Sequence, residues 1–225
     1  MTWRGATRVQ RIARHGDSWQ LFDDAGHAIA EAPLLVLANA TDALHLAGLP
    51  PQWQRRQRGQ VSWTDGGTAL APRIPVASGG YLLTLPDGRL LFGATSQAND
   101  EDPTVREADH RDNLAKAAQL LGGAPLHDGA ALHGRVGWRA STPDRLPLVG
   151  PAPDPAAPRP ARADAPRLWS RQPGLWLHCG LGSRGLTTAT LCAELIAAQA
   201  SGAPWPLEAD LVDAIDPARW LVRRS

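Results

Sequence analysis

The chain has 225 residues, 43% hydrophobic and 20% charged, proportions that allow a sizeable core and exclude wholesale disorder. Lys and Arg total 23 against 22 Asp and Glu, so a formal charge of +1 excludes a global field that would pull the molecule onto nucleic acid or a membrane. Gly 22 and Pro 20 imply many turns and argue against an all-helical bundle.

In the first segment Thr7–Ala13, Trp19–Asp23 and His27–Glu31 read as strands of a small meander, with Asp24-Ala25-Gly26 turning between the last two. Leu34–Ala38 is a continuous apolar run, predicted to be a strand buried on both faces. Asn39-Ala40-Thr41 leads from it into a short helix ending near Leu46. A buried strand that runs through a small-residue turn into a helix is where α/β folds bind ligands.

Arg55, Arg56 and Arg58 then form a basic cluster, read as a solvated face with phosphate contact as the alternative. Gly59–Thr64, Arg73–Ala77, Tyr81–Leu85 and Arg89–Thr95 are predicted strands, and Pro86-Asp87-Gly88 closes a hairpin. Tyr81 is the only tyrosine; it can donate its hydroxyl to a substrate or serve as a plain strand aromatic. A helix is expected from about Thr104 to Leu121, packing through Val105, Ala108, Leu114, Ala117, Ala118 and Leu121. After Gly122-Gly123 the chain is extended again through His133 to Ser141. Arg139, near that strand's end, can present its planar fork to a carboxylate, or pair with Asp144 at the surface. Antiparallel strands backed by a helix make an α+β unit.

Pro151–Pro166 reads as a proline- and alanine-rich surface loop. Leu175–Cys179 is a strand, and a helix follows Gly180-Leu181-Gly182-Ser183-Arg184-Gly185 as far as about Ala200, with Leu186, Leu191, Leu195 and Ile196 apolar; Pro204 and Pro206 forbid its continuation. The turn spells G-x-G-x-x-G. The dinucleotide fingerprint, however, needs a following parallel strand with an acidic residue about 20 positions on, and the two prolines intervene. What remains is a glycine-rich turn exposing amides at a positive helix end, suited to a negative or electron-rich ligand, or else an ordinary tight turn. Arg219, Arg223 and Arg224 form a second basic cluster, read as solvated.

No apolar run approaches the roughly 18 residues needed to cross a bilayer. Met1–Gly5 lacks signal-peptide order, and Cys179 and Cys192 show neither CxxC nor zinc spacing. The expectation is a cytoplasmic protein with no membrane partner and no metal.

Arg58-Gly59-Gln60-Val61, the Gly80–Pro86 hairpin, Leu91-Phe92-Gly93-Ala94-Thr95, the stretch from Gly137 to Gly150 (GWRASTPDRLPLVG) and Gly180–Leu186 occur here in an order that resembles FAD-dependent amine oxidases of the D-amino-acid oxidase and glycine oxidase type. Within that family, RGQVS, the R-x-S-T-x-D-x-L-P-x-V-G form, LGSRGLTTA and LCAELIAAQ are most similar to the oxidoreductase domain of bifunctional enzymes of tRNA 5-methylaminomethyl-2-thiouridine biosynthesis. The resemblance covers nearly the whole chain.

It implies a mixed α+β and α/β fold: an FAD domain in two pieces, residues 1–50 and 146–225, with an antiparallel substrate domain, 51–145, between them. The family's N-terminal βαβ half of the FAD domain and the methyltransferase domain are expected elsewhere in a longer protein, which would leave Leu34–Ala38 without parallel neighbours. The implied cofactor is FAD, the implied partners are tRNA and, as electron acceptor, molecular oxygen. The implied reaction is oxidation of a carboxymethylaminomethyl group on the wobble uridine, releasing glyoxylate. Arg139 would clamp the substrate carboxylate and Tyr81 would approach the substrate, with no protein nucleophile required. Val9 would line the adenine site, Asn39 and Ala40 would pass near pyrophosphate or ribose, and Gly182, Ser183, Arg184, Gly185, Leu186 and Thr187 would meet the flavin. The alternatives are a glycine- or D-amino-acid-oxidase-like enzyme on a free amino acid, whose pocket would be lidded, and a truncated non-catalytic fragment or binding module. A tRNA substrate predicts an open cleft with basic surface, for which Arg55 and Arg56 are candidates.

Overall fold

The structure, a computed structural model, describes residues 2–65, 71–124, 126 and 131–222. In chain order it forms β1 (Arg11–His15), β2 (Ser18–Phe22), β3 (Ala28–Ala32), β4 (Leu35–Leu37), α1 (Asp42–Leu46), β5 (Arg55–Thr64), β6 (Val76–Ala77), β7 (Tyr81–Thr84), β8 (Leu90–Gly93), β9 (Gln97–Ala98), α2 (Glu107–Leu120), β10 (Leu132–Ser141), β11 (Leu148–Pro153), β12 (Arg171–Cys179), α3 (Gly185–Ser201), α4 (Ala209–Ile215) and α5 (Arg219–Val222). Two compact units result: residues 1–55 with 140–225, and residues 56–139. Among the described residues no helix is long and apolar enough to cross a membrane.

The first unit holds the antiparallel meander β1-β2-β3 and a second sheet ordered β11-β12-β4. Side-chain alternation along β12 sets its two cores. Leu175, Leu177 and Cys179 pack with Trp19, Leu44 and Trp53 on one face, and Trp176 packs with Leu195, Ile196 and Val212 of α3 and α4 on the other. Complete burial of each such leucine is worth about 1.5–3 kcal/mol.

Several expectations are corrected here. The first strand starts at Arg11 rather than Thr7; upstream, the Gln10 amide still donates to the Phe22 carbonyl at 2.8 Å. The Leu34–Ala38 run is not buried on both faces, because Leu34 and Val36 are 42% and 37% exposed. Nor does β4 lack a parallel neighbour: it pairs in parallel with β12, Leu35 to Leu37 against Leu175 to Leu177. Its apolar character serves one packed face and the wall of a cleft. Pro151–Pro166 is not simply a loop. Pro151–Pro153 belong to β11, an edge strand where a missing N–H is tolerated, and Ala163, Ala165 and Pro166 are buried. Asp144 pairs with Arg219, not with Arg139, at 3.0 Å. Arg219 is therefore buried rather than solvated; Arg223 and Arg224 lie outside the described residues.

The second unit is a sheet ordered β10-β5-β8-β7-β6, with β9 also on β5 and α2 against one face. Phe92, Leu82 and Leu90 meet Ala117 there. Only Ala117 of the expected apolar stripe is buried; Val105 is exposed, and the helix buries Asp109, His110 and Asn113. The reason lies opposite, on β5, where Arg58, Gln60 and Ser62 project toward the helix. Asp109 takes a hydrogen bond from Arg58 at 2.6 Å, His110 Nδ1 lies 2.8 Å from Ser62 Oγ, and Asn113 donates to the Gln60 carbonyl at 2.9 Å. Arg58, read as part of a solvated cluster, is 0% exposed.

Candidate functional site

In the first unit the turn after β12 runs through Gly180 and Gly182, both at positive φ (+70° and +58°), where glycine carries no steric penalty. Gly182–Arg184 form one 3-10 turn that opens directly into α3 at Gly185. The Ser141 backbone bridges to Leu181, and the space where a Gly182 Cβ would stand meets only Ser141, at 3.5 Å. No side chain caps α3. The Thr187 and Thr188 hydroxyls donate back to the Arg184 carbonyl at 2.8 and 3.0 Å. Leu186, expected on the apolar side of this helix, is 102% exposed. Gly182, Ser183, Arg184, Gly185, Leu186 and Thr187 thus form one continuous amide-rich helix mouth. Cys179, at the strand end before it, offers no nucleophile: burial pushes its thiol up to about 12 although Gln54 Nε2 donates to the sulfur at 2.9 Å.

A cleft of about 480 Å³ opens beside β4 in the same unit. Val9 and Asn39 both line it, with Leu35, Val36 and Leu37 as apolar wall and Arg8 and Asp42 as polar rim. Ala40 follows Asn39 in the turn with φ +56° and is not part of the wall. Such a lining suits a planar heterocycle with polar edges. Asp42, His45 and Gln10 also line this cleft and carried no signal in the sequence beyond their place next to the strand.

In the second unit the sheet face away from α2 carries the remaining candidates. Tyr81 and Val61 each pair with Gly93, and alternation puts both opposite Leu82 and Ser62, which face the helix. Arg139 lies half-buried on this open face, lining a cleft of about 320 Å³ with Gly59, Val61 and Arg135. Among the described residues its one side-chain hydrogen bond is long, Nη1 to the Thr95 carbonyl at 3.3 Å, and no carboxylate pairs with it. Burial raises the Tyr81 phenol above its ordinary value and the Arg139 charge partly offsets that rise. The open face therefore brings Arg139 and Tyr81 within electrostatic reach. A guanidinium with unfilled donors in a part-apolar cleft can bind a planar anion through two parallel bonds. Gly59 beneath it is a position for which the sequence indicated no role.

A family model described as FAD dependent oxidoreductase matches residues 2–199. The chain is 50% identical over 236 residues to the tRNA 5-methylaminomethyl-2-thiouridine biosynthesis bifunctional protein MnmC of Methylibium petroleiphilum, covering 99% of this chain and 36% of that protein. It is 47% identical over 228 residues to the protein of the same name from Burkholderia lata, covering 97% and 35%. The chain spans about a third of the length of these curated relatives. In fold it is similar to glycine oxidase from Geobacillus kaustophilus, with TM-score 0.70 and 21% identity over 93% of this chain and 51% of that one. L-proline dehydrogenase from P. horikoshii gives TM-score 0.71 and 17% identity, covering 96% and 54%.

Proposed function

This chain belongs to the FAD dependent oxidoreductase family, and on that premise we propose that it is part of a tRNA-modifying enzyme that oxidises a carboxymethylaminomethyl group on the wobble uridine. The observation that carries this reading is Arg139: a half-buried guanidinium in a cleft, with no carboxylate of its own among the described residues. The names and identities of the curated relatives support the tRNA substrate, and a tRNA substrate fits a cytoplasmic site of action.

Flavin, when bound, would supply a two-electron acceptor for hydride from the carbon between the substrate nitrogen and carboxylate. Arg139 would hold that carboxylate through two charge-assisted bonds and so fix where the C–H bond points. Tyr81, on the same face, would border the substrate with its phenol protonated, as its raised pKa favours. Loss of hydride leaves a C=N bond in the substrate; water adds, the C–N bond breaks, and glyoxylate departs from an aminomethyl uridine. Molecular oxygen is the proposed final electron acceptor.

The residues of the first unit suit the cofactor. Val9, Asn39 and the β4 wall would take the adenosine end, with Ala40 in the turn beside it. The amides from Gly182 to Thr187, at a positive helix end, would stabilise negative charge on the flavin's pyrimidine side. The experiment is to express the protein with its flavin and supply hypomodified tRNA. Glyoxylate release that free glycine cannot match supports the reading. Peroxide from glycine with none from tRNA would favour an amino-acid oxidase instead, and turnover of neither would remove the enzymatic reading.

A further inference from the structure

Two arginines stand back to back across one glycine of β5. Arg58 points toward α2 with its donors occupied: Nε to the Asp102 carbonyl at 2.7 Å, Nη1 to Gln97 and Asp109 at 2.9 and 2.6 Å, and Nη2 to the Thr104 carbonyl at 2.6 Å. Gln60, on the same face, is clamped to the Arg106 backbone, its Nε2 donating to the carbonyl at 2.9 Å and its Oε1 accepting from the amide at 2.8 Å. The Gln60 amide donates to Thr95 Oγ1 at 2.9 Å, and the Thr95 amide returns a bond to the Gln60 carbonyl at 3.1 Å. Gly59 is thus pinned by both neighbours and faces the open side of the sheet.

On that side a Cβ at Gly59 would stand 2.4 Å from Nη1 of Arg139 and 3.0 Å from its Cζ and Nη2. With Nη1 nearest and Cζ and Nη2 equally distant, the Nη1–Nη2 edge of the guanidinium faces the glycine. The group occupies the volume in which any other residue would begin its side chain. The same Thr95 that ties down Gln60 accepts the one hydrogen bond from Arg139. β5 therefore supplies the floor of the guanidinium, and Thr95, itself bonded to β5 through Gln60, supplies the tether.

We propose that Gly59 is a positioning residue for substrate binding: by carrying no side chain it leaves the Arg139 guanidinium room to sit against β5, where it can meet a carboxylate. This rests on the reading of Arg139 as the carboxylate group's partner. Adding a methyl group at 59 demands a shift of about 1 Å, since ordinary contacts begin near 3.4 Å. The atoms that must yield are the far end of a flexible side chain, so Gly59→Ala folds and the displacement falls on Arg139. A misplacement of about 1 Å at a positioning group costs up to about 10²-fold.

The test is a double-mutant cycle on the full chain, with glyoxylate as the carboxylate probe, binding followed by calorimetry and folding by thermal melting. In the wild-type background Gly59→Ala weakens glyoxylate binding about 10- to 100-fold with little change in melting temperature. In the Arg139→Ala background the same substitution changes nothing, because the clash has gone. Wild-type affinity in Gly59→Ala, beside lost affinity in Arg139→Ala, overturns the role of Gly59 and leaves the carboxylate reading standing. So does an equal loss from Gly59→Ala in both backgrounds, since that marks a merely structural glycine. Undiminished affinity in Arg139→Ala overturns the carboxylate reading and this inference with it.

Discussion

Arg58 and Arg139 lie on opposite faces of one sheet, and their surroundings give the same chemical group opposite uses. Arg58 is buried with an aspartate and two carbonyls on its nitrogens, so nothing remains for a ligand. Arg139 has one long bond and an open cleft. Two charge-assisted bonds to a carboxylate are worth about 1.5–3 kcal/mol each, so Arg139→Ala should lower kcat/KM by about 10²- to 10⁴-fold. Arg139→Lys should recover only part of this, because an ammonium cannot make the bidentate pair. The single tyrosine gives an independent check. Arg139 lowers a Tyr81 pKa that burial has raised, so its removal should move the phenol's absorbance titration to higher pH. Of these residues the sequence showed Arg139 only as an arginine near a strand end, with a surface pair to Asp144 as the alternative, and its expected use came from the family resemblance. Arg58 was not legible: three arginines within four residues look like a charged surface, and only the carboxylate brought by a distant helix shows otherwise.

Among the elements, α2 shows where pattern reading stops. A polar helix face is ordinarily the solvent face, yet here it packs as well, beside Leu114, Ala117 and Leu121 of the apolar stripe, because β5 presents Arg58, Gln60 and Ser62 as complementary partners. Removing one member of a buried ion pair leaves the other charge unsatisfied, at a cost of about 3–5 kcal/mol. Asp109→Ala should therefore lower stability by about that much in denaturant titration, far more than an exposed alanine substitution on the same helix. The strands were largely readable. Turn chemistry at Asp24–Gly26 and Pro86–Gly88 bounds β3 and β8, and Leu175–Cys179 stands out by composition. The half-exposed state of β4 was hidden, because an apolar run reads alike whether it fills a core or lines a cleft. The parallel pairing of β4 with β12 was hidden too, since it joins segments some 140 residues apart in sequence.

For the molecule as a whole, near-neutral charge leaves electrostatics to local pairs, and these set its acid response. Burial would raise the Asp144 carboxyl, but bonds from Arg219, the Leu146 amide and Thr142 together hold it well below the usual carboxylate range. Asp100 and Asp102 are lowered as well: Arg106 acts first on Asp100, the Thr104 amide first on Asp102. A carboxylate whose folded pKa is depressed stabilises fully above its unfolded value, about 3.9 for Asp, and that contribution is lost as pH falls through the folded value. Melting temperature should thus hold steady above about pH 5 and drop below about pH 4. Asp144→Asn should be less stable at neutral pH and show a shallower acid decline; an unchanged acid slope would contradict the assignment. No local pattern in the sequence announces that residues 1–55 and 140–225 share one unit.

The central claim, that Arg139 receives the carboxylate of a glycine-like group on tRNA, is tested most directly by single-turnover glyoxylate release from tRNA bearing carboxymethylaminomethyl uridine. The flavin-loaded protein and its Arg139→Ala variant should be compared at matched flavin content. One glyoxylate per modified uridine from the wild type, with a loss of about 10²-fold or more in the variant, is the predicted result. Equal rates from the two proteins would contradict it.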